Sequence, residues 1–245
     1  MAQKNGAVIL AAGKGTRMKS DKPKVMCEVL GKPMIDYVVE SAKKSCDDIC
    51  VVIGYKAEIL RAHLDDSIKT VIQAEQLGTG HAVMQASEFI KEHNDGNILI
   101  VCGDAPFMDK TTVNEALKLH ESENNAVTVI TAKLDDPAAY GRIVKKNGKI
   151  KEIVEFKDAS DEIRKINEVN SGAFWFKGSE LYRLLSKITN NNSQGEYYLT
   201  DTIKIALQEG LSVNSYVAKT ADVILGANDP KQLEELNKRA EQIFD

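Results

Sequence analysis

What the chain lacks sets the first limits on what it does. No apolar run in its 245 residues approaches the ~20 that a membrane-spanning helix needs. The run near its start, Ala7–Ala12, is six residues long, which is too short for the apolar region of a secretory signal. No membrane contact and no targeting segment are expected. Cysteine is scarce: Cys27, Cys46, Cys50 and Cys102 are scattered, three of them within or beside apolar runs. The Cys46–Cys50 spacing is not C-x-x-C and no second cluster accompanies it, so buried or half-buried free thiols in a reducing, cytoplasmic setting are expected. Histidine is equally scarce. His81, at a helix start, reads as structural, while His63, His93 and His120 lie in polar helical contexts and are expected to face water.

Two nucleotide-binding signatures are also missing. No G-K-[ST] tripeptide occurs, so there is no Walker loop. Met18 stands where G-x-G-x-x-G would have its third glycine, which disfavours a dinucleotide-binding oxidoreductase. No Ser/His/Asp or paired-carboxylate arrangement offers a nucleophile or general base. Net charge is −4, which argues against a nucleic-acid partner.

The charge is unevenly spread. Lys14, Arg17, Lys19, Lys22 and Lys24 stand against the single Asp21 in one short segment, on an otherwise acidic chain. A small polyanion such as phosphate suits that segment better than a DNA surface does. It follows the apolar run in Leu10-Ala11-Ala12-Gly13-Lys14-Gly15-Thr16-Arg17-Met18, where small residues let the backbone approach a ligand and expose amide N–H groups. The same stretch also fits a basic surface turn.

With 43% hydrophobic and 28% charged residues, the chain has the profile of an ordinary globular domain with a real core. Short β-branched runs at Ala7–Ala11, Ile49–Ile53, Thr70–Gln73, Asn97–Val101 and Ala126–Thr131 alternate with helical patterns at Pro33–Lys44, Lys56–Leu64, Thr79–Lys91 and Thr111–Glu121. This rhythm predicts an α/β fold: a Rossmann-like, mostly parallel sheet with helices on both faces. After Asp135 the pattern changes. Asn147-Gly148 marks a hairpin between Arg142–Val144 and Lys149–Glu155, the start of a small antiparallel extension. A strand at Glu168–Phe176, helices at Ser179–Ser186 and Tyr198–Gln208, and a strand at Leu211–Val217 follow. A closing helix starts at Pro230 with Asp229 as its N-cap. One domain over 1–245 is expected.

The glycine loop with its downstream Pro23-Lys24 resembles the signature of sugar-nucleotide pyrophosphorylases. The likeness continues through Gln73-Ala74-Glu75-Gln76-Leu77-Gly78-Thr79-Gly80-His81-Ala82, Gly103-Asp104, Tyr140-Gly141-Arg142, Val154-Glu155, Asn170-Ser171-Gly172, the segment Asn190–Asp201 and Asn228. In this order the motifs resemble those of bacterial N-acetylglucosamine-1-phosphate uridyltransferases. Ser171 and Cys102 depart mildly from the family pattern.

The resemblance implies a nucleotidyltransferase that joins UTP to N-acetylglucosamine 1-phosphate, with Mg²⁺ as cofactor, and whose product serves cell-wall synthesis. It assigns Leu10, Ala11, Ala12, Gly13, Gln73, Gly78 and Thr79 to the nucleotide, with residues 1–131 as the nucleotide half. It assigns Gly141, Glu155, Asn170 and Thr200 to the sugar, with 132–228 as the sugar half and 229–245 closing the fold. Asp104 and Asn228 would hold the metal, and Arg17 and Lys24 would stabilise phosphate charge. Each has a plainer reading: a strand end for Gln73, a helix cap or loop residue for Asp104, a turn for Asn228, solvated charges for Arg17 and Lys24, and a strand-face charge for Glu155. Tyr197 and Tyr198 fit core or groove wall. The family's hexapeptide-repeat acetyltransferase domain has no counterpart in this sequence, so acetyl transfer is not expected. A different sugar or base, or a silent sugar-nucleotide-binding module, remain the rival readings.

Overall fold

The computed structural model describes residues 4–244; residues 1–3 and 245, the outer ends of the expected domain, lie outside the described residues. In chain order the strands are β1 (Gly6–Ala11), β2 (Glu28–Val29), β3 (Lys32–Pro33), β4 (Asp48–Ile53), β5 (Lys69–Ile72), β6 (Asn97–Cys102), β7 (Val127–Lys133), β8 (Arg142–Lys146), β9 (Lys149–Val154), β10 (Glu168–Lys177) and β11 (Val213–Val217). The helices are α1 (Met34–Ala42), α2 (Ala57–His63), α3 (Thr79–Gln85), α4 (Ser87–Glu92), α5 (Lys110–Ser122), α6 (Asp161–Arg164), α7 (Gly178–Leu185), α8 (Asp201–Gln208) and α9 (Pro230–Phe244).

β1, β4 and β6 are apolar at almost every position because both of their faces are covered. Side chains alternate across the sheet, which sorts the core into two layers. Ala7, Ile9, Val51, Ile53, Leu99 and Val101 face α1, α2 and α5. Val8, Val52, Ile98 and Ile100 face α3, α4, α7 and α8. The single tryptophan, Trp175, is fully buried, and its indole N–H donates to the Val113 carbonyl at 3.0 Å.

The main path of the sheet runs β11-β7-β10-β6-β1-β4-β5. All pairings along it are parallel except those of β10, which is antiparallel to both β6 and β7. The expected mostly parallel α/β sheet is present, and within it β10 runs antiparallel between β6 and β7. β10 has an apolar run on both faces like its neighbours, so its periodicity carries no sign of its direction. The β8–β9 hairpin hangs from β10 through the Val169–Arg142 pair and forms the antiparallel extension. β2 and β3 make a separate two-stranded ladder that takes Pro33, so α1 starts one residue later than expected, with Pro33 extended at ψ 138°.

The helical pattern over Thr79–Lys91 breaks at Ala86, whose φ of −88° and ψ of 20° end α3 and start α4. No proline or glycine marks the break, and the apolar stripe runs through it. The closing helix is as expected: the Gln232 N–H donates to Asp229 Oδ1 at 2.9 Å. α9 packs Leu236 and Ala240 against Met18, Val29, Met34 and Phe107, which ties the end of the chain to the loop after β1.

Two histidines correct the expectation that they face water. His93 is buried, with Nδ1 2.9 Å from the Phe89 carbonyl and Nε2 3.1 Å from Asp48 Oδ2. His120 is 1% exposed, with Nδ1 3.1 Å from Thr128 Oγ1 and no partner at Nε2 among the described residues. His93 closes the end of α4 and His120 lies on α5, each one turn from apolar neighbours, and the polar residues around them disguise an inward face. Only His63 is exposed, and it pairs with Asp36 at 2.7 Å.

Burial lowers the His120 pKa from 6.5 to about 4, with the Lys177 charge adding to the effect. The depressed native pKa means that the unfolded chain takes up a proton the native state refuses. The contribution of this group to stability is therefore full above pH 6.5 and is lost as pH drops towards 4, on the order of 3 kcal/mol for a shift of this size. In urea titrations at a series of pH values, His120→Asn should flatten that fall, since its amide can still meet Thr128. An unchanged pH slope in the variant would contradict the assignment.

Candidate active site

β1 is flanked by β4 on one side and β6 on the other, so the strand order reverses there and leaves a crevice at the carboxyl ends of β1 and β6. The backbone holds the crevice open. The Gly103 N–H donates to the Leu10 carbonyl at 2.9 Å and the Tyr55 N–H to the Ala12 carbonyl at 3.2 Å, which ties the loop after β1 to the ends of β6 and β4.

One cleft of about 280 Å³ lies against this loop, with Leu10, Ala11, Ala12, Gly13, Lys24, Gln73, Gly78, Thr79 and Asp104 on its wall. These include every residue assigned from the sequence to the nucleotide. Gln73 is 3% exposed. Its side-chain nitrogen lies 3.1 Å from the Gly78 carbonyl and 3.1 Å from His81 Nδ1. The far wall is zipped to a distant segment: the Gly80 N–H donates to the Tyr197 carbonyl at 2.8 Å and the Leu199 N–H to Thr79 Oγ1 at 3.1 Å. Gly78 permits that approach. Its φ is 105°, and an added Cβ would lie 2.7 Å from the Tyr197 carbonyl oxygen.

A second cleft of about 250 Å³ adjoins the first, and Cys102 and Asp104 belong to both walls. Gly141, Glu155, Asn170 and Asn228 line it. A bulge in β10 between Asn170 and Ala173 re-aims the strand here, and Asn170 Oδ1 accepts the Gly172 N–H at 3.0 Å. Thr200 is buried behind Glu155 and donates its hydroxyl to Oε1 at 3.1 Å. Burial raises the Glu155 pKa; the Thr200 hydrogen bond opposes that shift, while the charges of Asp158, Asp201 and Glu196 reinforce it.

At the junction, Lys24 turns inward. Its ammonium pairs with Asp104 Oδ2 and donates to Asn228 Oδ1 at 2.9 Å. The side chains of Lys24 and Asp104 are only 17% and 24% exposed, so the pair is partly shielded from water. Asp104 does not cap the next helix, since Asp109 caps α5 by accepting the Thr111 and Thr112 N–H groups. The Cys102 thiol is pushed up to about 12 by burial first and by the Asp104 charge second, so it remains protonated. Arg17 is the one charged candidate not on either cleft. It is exposed on the turn Thr16–Met18 and lines a third hollow with Tyr140, Gly226 and Asn228.

Sequence reasoning missed several supporting residues. Arg142 is 2% exposed, and its guanidinium donates to the carbonyls of Ala138 at 2.9 Å, Arg164 at 3.1 Å, Pro137 at 3.3 Å and Tyr140. It thereby clamps the loop that walls the second cleft; a lone arginine in a strand pattern gives no signal of this. Glu196 and Gln76 reach the first cleft. Gly226 lets the chain pass Asp104, because an added Cβ would lie 2.5 Å from the Asp104 carbonyl oxygen.

A family model described as nucleotidyl transferase matches residues 6–224. The chain belongs to the nucleotidyl transferase family. Among its relatives, the bifunctional protein GlmU of Fervidobacterium nodosum is 46% identical over 235 residues, which is 96% of this chain and 50% of that protein. GlmU of Acetivibrio thermocellus is 44% identical over 95% of this chain, again 50% of its own length. This nucleotidyl transferase chain thus spans about half the length of the curated relatives it matches. The fold is shared with solved structures at lower identity. The UDP-glucose pyrophosphorylase complexed with UDP-glucose aligns with a TM-score of 0.78 at 19% identity, covering 98% of this chain and 99% of that one.

The close passage at Gly226 is directly testable. Gly226→Ala should lower the unfolding free energy by about 1–3 kcal/mol, the usual result of overpacking against backbone. An unchanged denaturation midpoint would contradict the contact.

Proposed function

We propose that this nucleotidyl transferase joins UTP to N-acetylglucosamine 1-phosphate and releases pyrophosphate. One observation carries the reading: two clefts of about 280 and 250 Å³ meet at Asp104, where the Lys24 ammonium also sits. The nucleotide would occupy the cleft walled by residues 10–13, Gln73, Gly78 and Thr79. The sugar would occupy the one walled by Gly141, Glu155 and Asn170, with Thr200 fixing Glu155. A carboxylate and an amide suit the hydroxyl and N-acetyl groups of a buried hexosamine, which need partners once desolvated. The 44–46% identity to GlmU proteins over 95–96% of the chain supports the same choice of substrates.

In this reading a phosphate oxygen of the sugar phosphate forms a bond to the α-phosphorus of UTP. The bond from that phosphorus to the bridging oxygen breaks, and pyrophosphate takes the electron pair. The nucleophile is already ionised at neutral pH, so no protein base is required. The chain's work is positioning and charge stabilisation. Lys24 supplies positive charge at the junction, and Arg17 supplies it from the rim of the neighbouring hollow.

Mg²⁺ fits the junction. Asp104 and Asn228 present oxygen donors, and in the structure they already share one cation, the Lys24 ammonium. Bound there, the ion would neutralise phosphate oxygens, and two protein oxygens leave positions for phosphate and water, as Mg²⁺ prefers. The residues 1–131 then serve mainly the nucleotide and 132–228 mainly the sugar, within one domain closed by α9. Among the described residues no helix is long and apolar enough to cross a membrane. Four free, buried or half-buried thiols suit the reducing cytoplasm, where the product would enter cell-wall synthesis.

The test offers the protein and Mg²⁺ a grid of UTP, CTP, dTTP and ATP against N-acetylglucosamine, glucosamine and glucose 1-phosphates, and measures pyrophosphate. UTP with N-acetylglucosamine 1-phosphate should turn over fastest, and Asp104→Ala should lose at least 100-fold, the order expected for removing one preorganised electrostatic group. No release from any pair, or a preference for glucose 1-phosphate, would refute the substrate assignment. Near-normal turnover by Asp104→Ala would refute the junction chemistry.

A further inference from the structure

We propose that His81 is a positioning residue: it fixes which atom of Gln73 faces the nucleotide base, and so makes the site choose a base with a ring N–H over one with a ring acceptor. This rests on the reading that Gln73 meets the base.

Gln73 follows β5 and is almost completely enclosed, at 3% exposure. Its backbone is occupied: the N–H donates to the Ile53 carbonyl at 2.8 Å, and the carbonyl accepts from Gln76 Nε2 at 3.1 Å. The side-chain nitrogen has two hydrogens and two acceptors, the Gly78 carbonyl and His81 Nδ1, each at 3.1 Å. Only Oε1 is left without a partner among the described residues, and Gln73 is on the cleft wall. A primary amide can pair with a base in either sense. Held this way, it can only accept. Uracil presents N3–H to such an acceptor, whereas cytosine presents a lone pair at N3 and would be repelled.

The amide orientation is set by what surrounds it. Turned over, Gln73 would place Oε1 against the Gly78 carbonyl, and the only compensation would be a proton on His81 Nδ1. Whether Nδ1 accepts or donates is therefore the deciding contact. A neutral imidazole has one accepting nitrogen. Gln85 competes for that role at the other side of the ring, with Nε2 3.2 Å from His81 Nε2 and 3.0 Å from the His81 carbonyl. The competition is uneven. Gln85 is half-exposed and can leave the ring for water, whereas Gln73 is pinned on three sides. The proton consequently resides on Nε2, Nδ1 accepts from Gln73, and Oε1 points to the base. His81 itself lies on α3, whose start is fastened to the 197–199 segment, so the ring is held by the same backbone contacts that shape the cleft.

The experiment compares kcat/KM for UTP and CTP in the wild-type protein and in Gln73→Ala, His81→Ala and His81→Asn, with folding checked by circular dichroism. His81→Ala should reduce the UTP-to-CTP ratio about tenfold, the scale of one hydrogen bond that fixes discrimination. The loss should appear as a higher KM for UTP more than as a lower kcat. His81→Asn keeps an acceptor at the δ position and should restore most of the ratio. If Gln73→Ala collapses selectivity while His81→Ala leaves it intact, the base reading stands and the positioning role is overturned. Equal losses in His81→Ala and His81→Asn would likewise overturn it, because the ring alone would then matter. A wild-type protein indifferent to UTP and CTP would overturn both.

Discussion

The ammonium of Lys24, held between Asp104 and Asn228, is the constraint around which the site is organised. These residues come from the loop after β1, the end of β6 and the turn before α9, and Lys24 and Asn228 are 204 positions apart in the chain. A partly buried carboxylate needs a cation close by, because an unpaired charge in that setting is costly. The rest of the fold supplies the geometry. The β2–β3 ladder and α9 pack around Met18, Met34 and Phe107, fixing where Asn228 stands, and Gly226 lets the backbone slip past Asp104 to get there. The cation also joins the two clefts, since Asp104 belongs to both walls.

Rigidity around that junction comes from two different sources. On the β1 side it is the sheet, whose apolar central strands are packed on both faces. On the far side there is less sheet, and buried polar groups take over. Arg142 gathers the 137–140 loop through carbonyl contacts, and Tyr140 donates its hydroxyl to the Ile224 carbonyl at 3.0 Å. The Asn170 bulge and the Thr200–Glu155 bond turn polar side chains towards the second cleft. Such networks are costly when left incomplete, so each fixes its loop in one arrangement.

Much of this architecture was legible in the sequence, and the reasons are physical. β1, β4 and β6 announce themselves because strands covered on both faces must be apolar at successive positions, and Asn147-Gly148 announces its hairpin because few residues tolerate φ above zero. The residues of the first cleft were legible as a set through the family resemblance, because they fall within two continuous segments. What stayed hidden depends on contacts between distant segments. β10 enters between β6 and β7 although its own pattern is compatible with either direction. His93, at the end of α4, and His120, on α5, are buried although their polar neighbours suggest solvent. Arg142 resembles any strand-face cation until the carbonyls around it are seen. Lys24 and Arg17 belong to the same basic segment, yet only Lys24 turns inward, a difference set by the turn Thr16–Met18 rather than by residue type.

We propose that the two clefts form one site for one extended ligand. It is tested most directly by calorimetric titration of UDP-N-acetylglucosamine into the wild-type protein, Gln73→Ala and Glu155→Gln in the presence of Mg²⁺. If the ligand spans the junction at Asp104, both substitutions must weaken its binding, although they stand on opposite clefts. If one of them leaves the affinity at the wild-type value while the other reduces it, the clefts do not share a ligand, and the account is contradicted.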